Sequence, residues 1–193
     1  MKTIHIAGFA GSLRKNSFNQ RMLERAAFGA REAGAEVDLV DLGDFDLPIF
    51  HDELSAGESL PDGVLALKDR LRHADGLLIA SPEYNCSVTP LLKNVLDWCS
   101  VPTNRENPDC CLEGKHAGVM ATSPGRLGGI RGLFHLRDIL MDVGIHPINH
   151  QFALPGAGQA FAEDGSLMDE RMDETLRRIG SELVRISGAL RAS

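Results

Sequence analysis

A chain of 193 residues with 43% hydrophobic side chains suits one globular domain and lies far above the disordered range. The formal charge of −7 excludes the broad basic face expected of a nucleic-acid binder, and no apolar run approaches the ~20 residues of a membrane span. Met1-Lys2-Thr3 leads into an apolar run too short for a signal peptide, so a cytoplasmic location is expected.

Short β-rich runs alternate with helical patterns along the chain, the order of a parallel sheet wrapped by helices. A strand is predicted over Thr3 to Phe9, and a helix over Phe18 to Ala33 that Gly34 stops. A second strand, Glu36 to Leu42, opens into an Asp, Pro and Gly-rich loop from Gly43 to Gly63. A helix over about Val64 to His73 then precedes the continuously apolar Gly76 to Ala80, which reads as a central strand covered on both faces. Thr89-Pro90 reads as an N-cap with proline at the first helical position, and that helix continues through Leu92, Val95, Leu96 and Cys99. A fourth strand is expected at Ala117 to Ala121, a helix from near Gly129, and a fifth strand around Ile145 to Phe152. The last helix opens on a capping-box-like Ser166-x-x-Asp169. It carries one apolar stripe of Met172, Leu176, Ile179, Leu183, Ile186 and Leu190, suited to core packing or to a partner subunit.

Five such units without repeats or linkers imply one domain, residues 1–193, with a doubly wound five-stranded parallel sheet of order 2-1-3-4-5 and helices on both faces. In that architecture ligands sit beyond the carboxyl ends of the strands, so the loops after strands one, three and four matter most.

The first loop, Gly11 to Gln20, runs from a strand into a helix, where backbone N–H groups and the helix dipole converge. Gly11 would allow a tight turn, Ser12, Ser17 and Asn19 can donate hydrogen bonds to phosphate, and Arg14 adds charge. The first 23 residues contain Lys2, Arg14, Lys15 and Arg21 and no acid. No Gly-Lys-Ser/Thr ending and no GxGxxG is present, which excludes a triphosphate P-loop and the dinucleotide fingerprint. A phosphate site and a plain polar N-cap both remain open for this loop alone. In the second loop, Ser81 to Ser87, Tyr84 offers a flat surface to a ring ligand or packs over the sheet edge. The third loop, Thr122 to Gly129, again pairs hydroxyls with glycines.

Taken together, Gly11-Ser12-Leu13-Arg14 with Ser17 and Asn19, Ser81-Pro82-Glu83-Tyr84-Asn85, and Leu92-Lys93-Asn94-x-x-Asp97-Trp98 resemble the NADPH-dependent FMN reductase family. That family includes the flavodoxin-like quinone, azo-dye and chromate reductases, and the resemblance spans about residues 3 to 185. It implies that Gly11, Ser12, Arg14, Ser17, Phe18, Asn19 and Gln20 surround the FMN phosphate. It further implies that Pro82, Glu83, Tyr84 and Asn85 border the isoalloxazine ring, largely through backbone groups, with Ser123 near the ring or ribityl chain. An NAD(P)H-dependent flavoenzyme passing two electrons to quinones or related acceptors is expected, with NADPH or NADH as donor and no protein acid, base or nucleophile as catalyst. A homodimer or homotetramer is implied by the resemblance alone. A flavodoxin-type electron carrier and a reductase supplying free reduced FMN to a partner monooxygenase are the alternatives.

Two positions depart from the family pattern: Leu91 follows Pro90 where glycine is frequent, and Cys86 stands where aromatic, small or polar residues are usual. Leu91 bears on substrate access, and Cys86 is either an inert small side chain or redox-active near a flavin. The four cysteines lack CxxC spacing, and Cys110–Cys111 read as free surface thiols in a reducing compartment. The seven histidines form no metal motif, and His146 and His150 fall on one face of a strand but apart along it. Asp38 and Asp41 are expected to be solvated, and Asp97 to be structural rather than paired with Glu83.

Overall fold

The computed structural model describes residues 3–56, 59–103 and 110–191. Its elements, in chain order, are β1 (His5–Ala10), α1 (Phe18–Glu32), β2 (Glu36–Val40), α2 (Asp52–Ser55), α3 (Asp62–Arg72), β3 (Gly76–Ala80) and α4 (Pro90–Ser100). They continue with β4 (His116–Thr122), α5 (Ile130–Asp142), β5 (His146–Leu154) and α6 (Glu170–Arg191). The five strands are parallel in the order β2-β1-β3-β4-β5, as the alternation of patterns predicts. β3, at the centre, is buried along its whole length. Pro147 is tolerated because β5 is an edge strand, where a missing N–H costs no ladder bond to a further neighbour.

Each face of the sheet has its own core. Leu23, Ala26, Ala30, Leu78, Met120, Leu176, Ile179 and Leu183 pack beneath α1 and α6. Phe9, Leu67, Leu77, Ile79, Leu92, Leu96, Val119, Leu133 and Leu136 fill the space under α3, α4 and α5. The stripe on α6 is therefore core over Leu176, Ile179 and Leu183, whereas Met172 and Leu190 at its ends are exposed.

α1 and α6 approach closely because two glycines meet at their crossing. A Cβ on Gly180 would lie 2.0 Å from the Ala26 carbonyl oxygen, and one on Gly29 would lie 2.1 Å from the Arg177 oxygen. Both obstacles are backbone, so no rotamer change relieves them. Gly180→Ala is expected to destabilise the protein by about 2–3 kcal/mol through overpacking, read as a lowered midpoint in urea unfolding. A midpoint equal to the wild type would show that the two helices part without cost.

The ends of several elements differ from the sequence expectations. β1 begins at His5 rather than Thr3, and β5 runs two residues further, to Leu154. The α6 start is not a Ser166–Asp169 box: the Ser166 hydroxyl donates to Asp164 at 2.6 Å, and Asp169 itself accepts from the Met172 amide at 3.0 Å. Asp169 is the residue immediately before the helix, so its shorter reach to the first-turn amides wins. The one-turn α2 lies in the loop after β2, where no periodicity announces it.

Cys111 is buried and Cys110 partly so, contrary to their reading as surface thiols; both donate through sulfur to the Cys99 carbonyl, at 3.5 and 3.6 Å. The reason is tertiary: the Leu112 core position draws the segment before β4 under the end of α4. Asp38 and Asp41 are also more than solvated. Asp38 binds Arg70 through two contacts of 2.6 Å, and Asp41 caps a single 3-10 turn by accepting from the Gly43 amide at 2.9 Å.

Candidate functional site

The carboxyl ends of β1, β3 and β4 lie side by side, and their three following loops meet at one recess of about 150 Å3. Ser12, Arg14, Ser17, Phe18 and Asn19 line it from the first loop, Pro82, Glu83 and Tyr84 from the second, and Thr122, Ser123 and Pro124 from the third. Of the residues singled out in the sequence, Gly11, Gln20 and Asn85 do not line this recess. Gln20 faces the larger, adjoining groove of about 850 Å3, and Asn85 stands at a hairpin tip. Thr122 and Pro124 are additional lining residues; their place at the end of β4 was the available signal.

Gly11 serves a close approach rather than a tight turn. Its amide still donates to Ala80 at 2.9 Å, continuing the β1–β3 ladder, while an added Cβ would meet Leu92 Cβ at 2.9 Å and Thr89 Oγ1 at 3.0 Å. The Thr89 hydroxyl donates to the Gly11 carbonyl at 2.8 Å and accepts from the Leu92 amide at 3.2 Å. One side chain thus caps α4 and ties the first loop to it.

At the start of α1, Ser17 occupies the N-cap position and is 4% exposed, yet its hydroxyl caps nothing. The first intrahelical bond runs from Arg21 N to Ser17 O, leaving the amides of Phe18, Asn19 and Gln20 ahead of it. No acidic residue occupies the first turn. An ordinary N-cap serine would turn onto one of those amides; here donors and dipole stay directed outward, the arrangement that favours an anion.

Arg14 is held over the Phe18 ring at 5.2 Å, Phe18 stacks on Phe161 at 6.2 Å, and Arg21 lies over the Phe161 ring at 4.4 Å. This stack fastens the segment after β5 to α1, with Arg21 also donating to the Ala162 carbonyl at 2.8 Å. The Asn19 carboxamide is a brace rather than a free ligand. Its Nδ2 donates to Thr122 O at 3.0 Å, and its Oδ1 accepts from Thr122 N at the same distance.

In the second loop the backbone of Tyr84 and Ser87 pairs in both directions, closing a two-residue hairpin turn on Asn85 and Cys86. Both turn residues have positive φ, 49° and 68°, the pattern of a type I′ turn that usually carries glycine in second place. Cys86→Gly is expected to stabilise the fold by about 0.5–1 kcal/mol, because relief of left-handed strain exceeds the added freedom of the unfolded chain. A lowered melting temperature would contradict it. Tyr84 is 56% exposed and lines the recess.

The Glu83 carboxylate turns towards α5. It accepts from the amides of Arg131 and Gly132 at 3.0 and 3.1 Å and from the Arg131 guanidinium. Burial pushes its carboxyl up, but Arg131 and the two amides together hold it below the usual range. Glu83 therefore caps α5, and its carboxylate is engaged there. Gly129, at φ 90°, starts α5 and sits too close to Ala121 for any Cβ, which seats the third loop against β4.

The Leu92-to-Trp98 motif holds the loop after β2. Asn94 accepts from the Phe50 amide at 2.8 Å and donates to the Pro48 carbonyl at 3.0 Å, and Trp98 Nε1 donates to that carbonyl at 2.6 Å. Asp97 pairs with Lys93 at 2.6 Å, a structural place apart from Glu83. Leu91, Ile49 and Phe50 border a separate apolar recess of about 370 Å3 beside α4. A further gap of about 720 Å3, between β1, β2 and α3, includes His5, Glu36 and His73 and so lies at the amino ends of the strands. The His116 and His146 rings are 5.1 Å apart, and among the described residues no group of three or more His, Cys, Asp or Glu is placed to hold a metal ion.

The family model described as NADPH-dependent FMN reductase matches residues 4–159. The chain belongs to this family. The NADPH-dependent FMN reductase fold is shared along its length by the NAD(P)H:(acceptor) oxidoreductase FerB of Paracoccus denitrificans, 32% identical, with a TM-score of 0.82 over 97% of this chain and 98% of that one. Among curated relatives, an NAD(P)H-dependent FMN reductase of Pseudomonas aeruginosa is 34% identical over 91% of this chain and 90% of its own length. An NADPH:quinone oxidoreductase of Arabidopsis thaliana is 35% identical over 91% of this chain and 88% of its own. As a member of the NADPH-dependent FMN reductase family, the chain is an oxidoreductase. Among the described residues no helix is long and apolar enough to cross a membrane.

Proposed function

We propose that the chain is an NAD(P)H-dependent FMN oxidoreductase that reduces quinone-like acceptors. The observation that carries this reading is the uncapped start of α1, opening on a recess where the loops after β1, β3 and β4 converge. The residues fit a phosphate-bearing flavin: Ser12, the buried Ser17 hydroxyl and the amides of Phe18 to Gln20 would hold the phosphate, and Arg14 would add charge. Pro82, Tyr84 and the Glu83 backbone would border the ring, and Ser123 the ring or the ribityl chain. When bound, FMN would supply the redox chemistry, hydride acceptance from the nicotinamide and two-electron reduction of the acceptor. The chain's task is then positioning: Thr89, Asn19 and Glu83 brace the three loops against one another. Relatives named as FMN and quinone reductases support the same substrate class.

The test is a flavin spectrum followed by NADPH and NADH oxidation over a panel of quinones. FMN uptake with quinone-dependent oxidation is expected. Failure to take up FMN overturns the reading, and FMN uptake without NAD(P)H consumption replaces it with an electron carrier. Loss of flavin on gel filtration would indicate a supplier of free reduced FMN. We also propose a homodimer or homotetramer, which light scattering at 20.9 kDa would refute.

A further inference from the structure

We infer that Cys99 and Cys111 form an oxidation site, a dithiol that peroxide converts to a disulfide stapling the end of α4 to the approach to β4. This inference does not depend on the flavin reading. Three of the four cysteines gather here, although Cys99 stands apart from Cys110 and Cys111 in sequence. The Cys111 Sγ donates to the Cys99 carbonyl at 3.5 Å, which brings the two cysteines into direct contact. Cys110, the partly exposed member, donates to the same carbonyl at 3.6 Å and marks where the cluster reaches solvent.

The two thiols are inequivalent. The contact with Cys99 draws the Cys111 thiol down to about 7, against its burial, and the Lys68, Arg72 and Lys115 cations favour the thiolate further. The same contact and burial push Cys99 up. Lys68 is itself buried, with its ammonium 3.2 Å from the Cys99 carbonyl and 3.3 Å from that of Trp98, so its charge is fixed beside the pair. Cys111 is thus the nucleophile and Cys99 the resolving thiol.

The Cys111 thiolate attacks one oxygen of hydrogen peroxide, the O–O bond breaks, and the departing hydroxide takes up a proton as water. Cys111 is left as a sulfenic acid. The Cys99 sulfur then attacks the Cys111 sulfur, its proton leaving with the hydroxyl group as a second water. Two thiols are oxidised by two electrons in all, and one peroxide is reduced to two waters. A dithiol reductant reverses the change by exchange.

The experiment treats the purified protein with hydrogen peroxide in the absence of NAD(P)H, alkylates it, and digests it with trypsin without reductant. Trypsin cuts after Arg105, between the two cysteines, so the cross-link joins two separate peptides. The expected result is a Cys99–Cys111 cross-link, loss of two of the four thiols, and recovery of both with dithiothreitol. Cys111→Ala should abolish the cross-link while exposed Cys86 still reacts. A Cys110–Cys111 cross-link, sulfinic acid at Cys111 with Cys99 untouched, or oxidation confined to Cys86 would overturn the inference. Mapping of the unmutated protein decides among these even if the variant fails to fold.

Discussion

Replacing Arg14 and Ser17 together by alanine is expected to weaken FMN binding about 50-fold while leaving the fold intact. The size follows from the two losses. Ser17 is a buried hydroxyl whose proposed hydrogen bond to the phosphate would be worth about 1.5 kcal/mol, and Arg14, on the solvent side, would contribute about 1 kcal/mol. Their sum of about 2.5 kcal/mol corresponds to a factor of roughly 50–100 in affinity. Neither substitution should disturb α1, since Ser17 makes no capping bond and Arg14 contacts the protein chiefly through the Phe18 ring. Quenching of FMN fluorescence on titration reads the affinity, and far-UV circular dichroism checks the helix. Unchanged affinity would place the phosphate elsewhere.

The second large effect concerns Asp173, at the junction of α6 with α1. Its buried carboxylate takes two hydrogen bonds from Arg25, at 2.6 and 2.5 Å, and one from the Leu167 amide at 3.0 Å, with Arg177 3.2 Å away. Burial pushes this carboxyl up, and Arg25, Leu167 and Arg177 more than offset it, so its pKa lies below the usual value. Asp173→Ala leaves the part-buried Arg25 without its carboxylate and a buried amide unsatisfied, while Arg177 keeps Glu32 at 3.2 Å, at a cost of about 3–4 kcal/mol. The midpoint of urea unfolding should fall accordingly, and a shift below about 1 kcal/mol would contradict this account. The pH dependence has a definite sign. A carboxyl whose folded pKa is depressed stabilises the protein above its unfolded value of about 4, and that contribution is lost as pH falls through the folded value. Asp173→Asn should therefore lose less stability than the wild type over that acid range, the remaining loss coming from other depressed carboxyls such as Glu83 and Asp38.

The alternation of strand and helix patterns was legible throughout, because each signal is local: continuous apolarity at Gly76–Ala80, Thr89-Pro90 at the start of α4, Gly34 after α1. The hairpin at Asn85-Cys86 was not, because its turn geometry usually announces itself by a glycine that this chain lacks. The role of Glu83 was equally hidden. Its partners are 48 and 49 residues away, and nothing near it in the chain signals a cap for α5.

By itself the sequence determined the order of the elements, and with it that the loops after β1, β3 and β4 share one edge of the sheet. It also determined that the loop into α1 carries serines and arginine without an acid. Only the tertiary structure decided which of those groups remain available to a ligand. Asn19 is consumed by Thr122 and Glu83 by α5, while Ser17 keeps its hydroxyl and α1 its first amides. The acid-free character is likewise local, since the fold brings Asp41, Glu163 and Asp164 to the groove beside Arg14 and Lys15. Periodicity and chain order are properties of neighbours in sequence, whereas the hydrogen bonds and charges surrounding a group depend on neighbours in space.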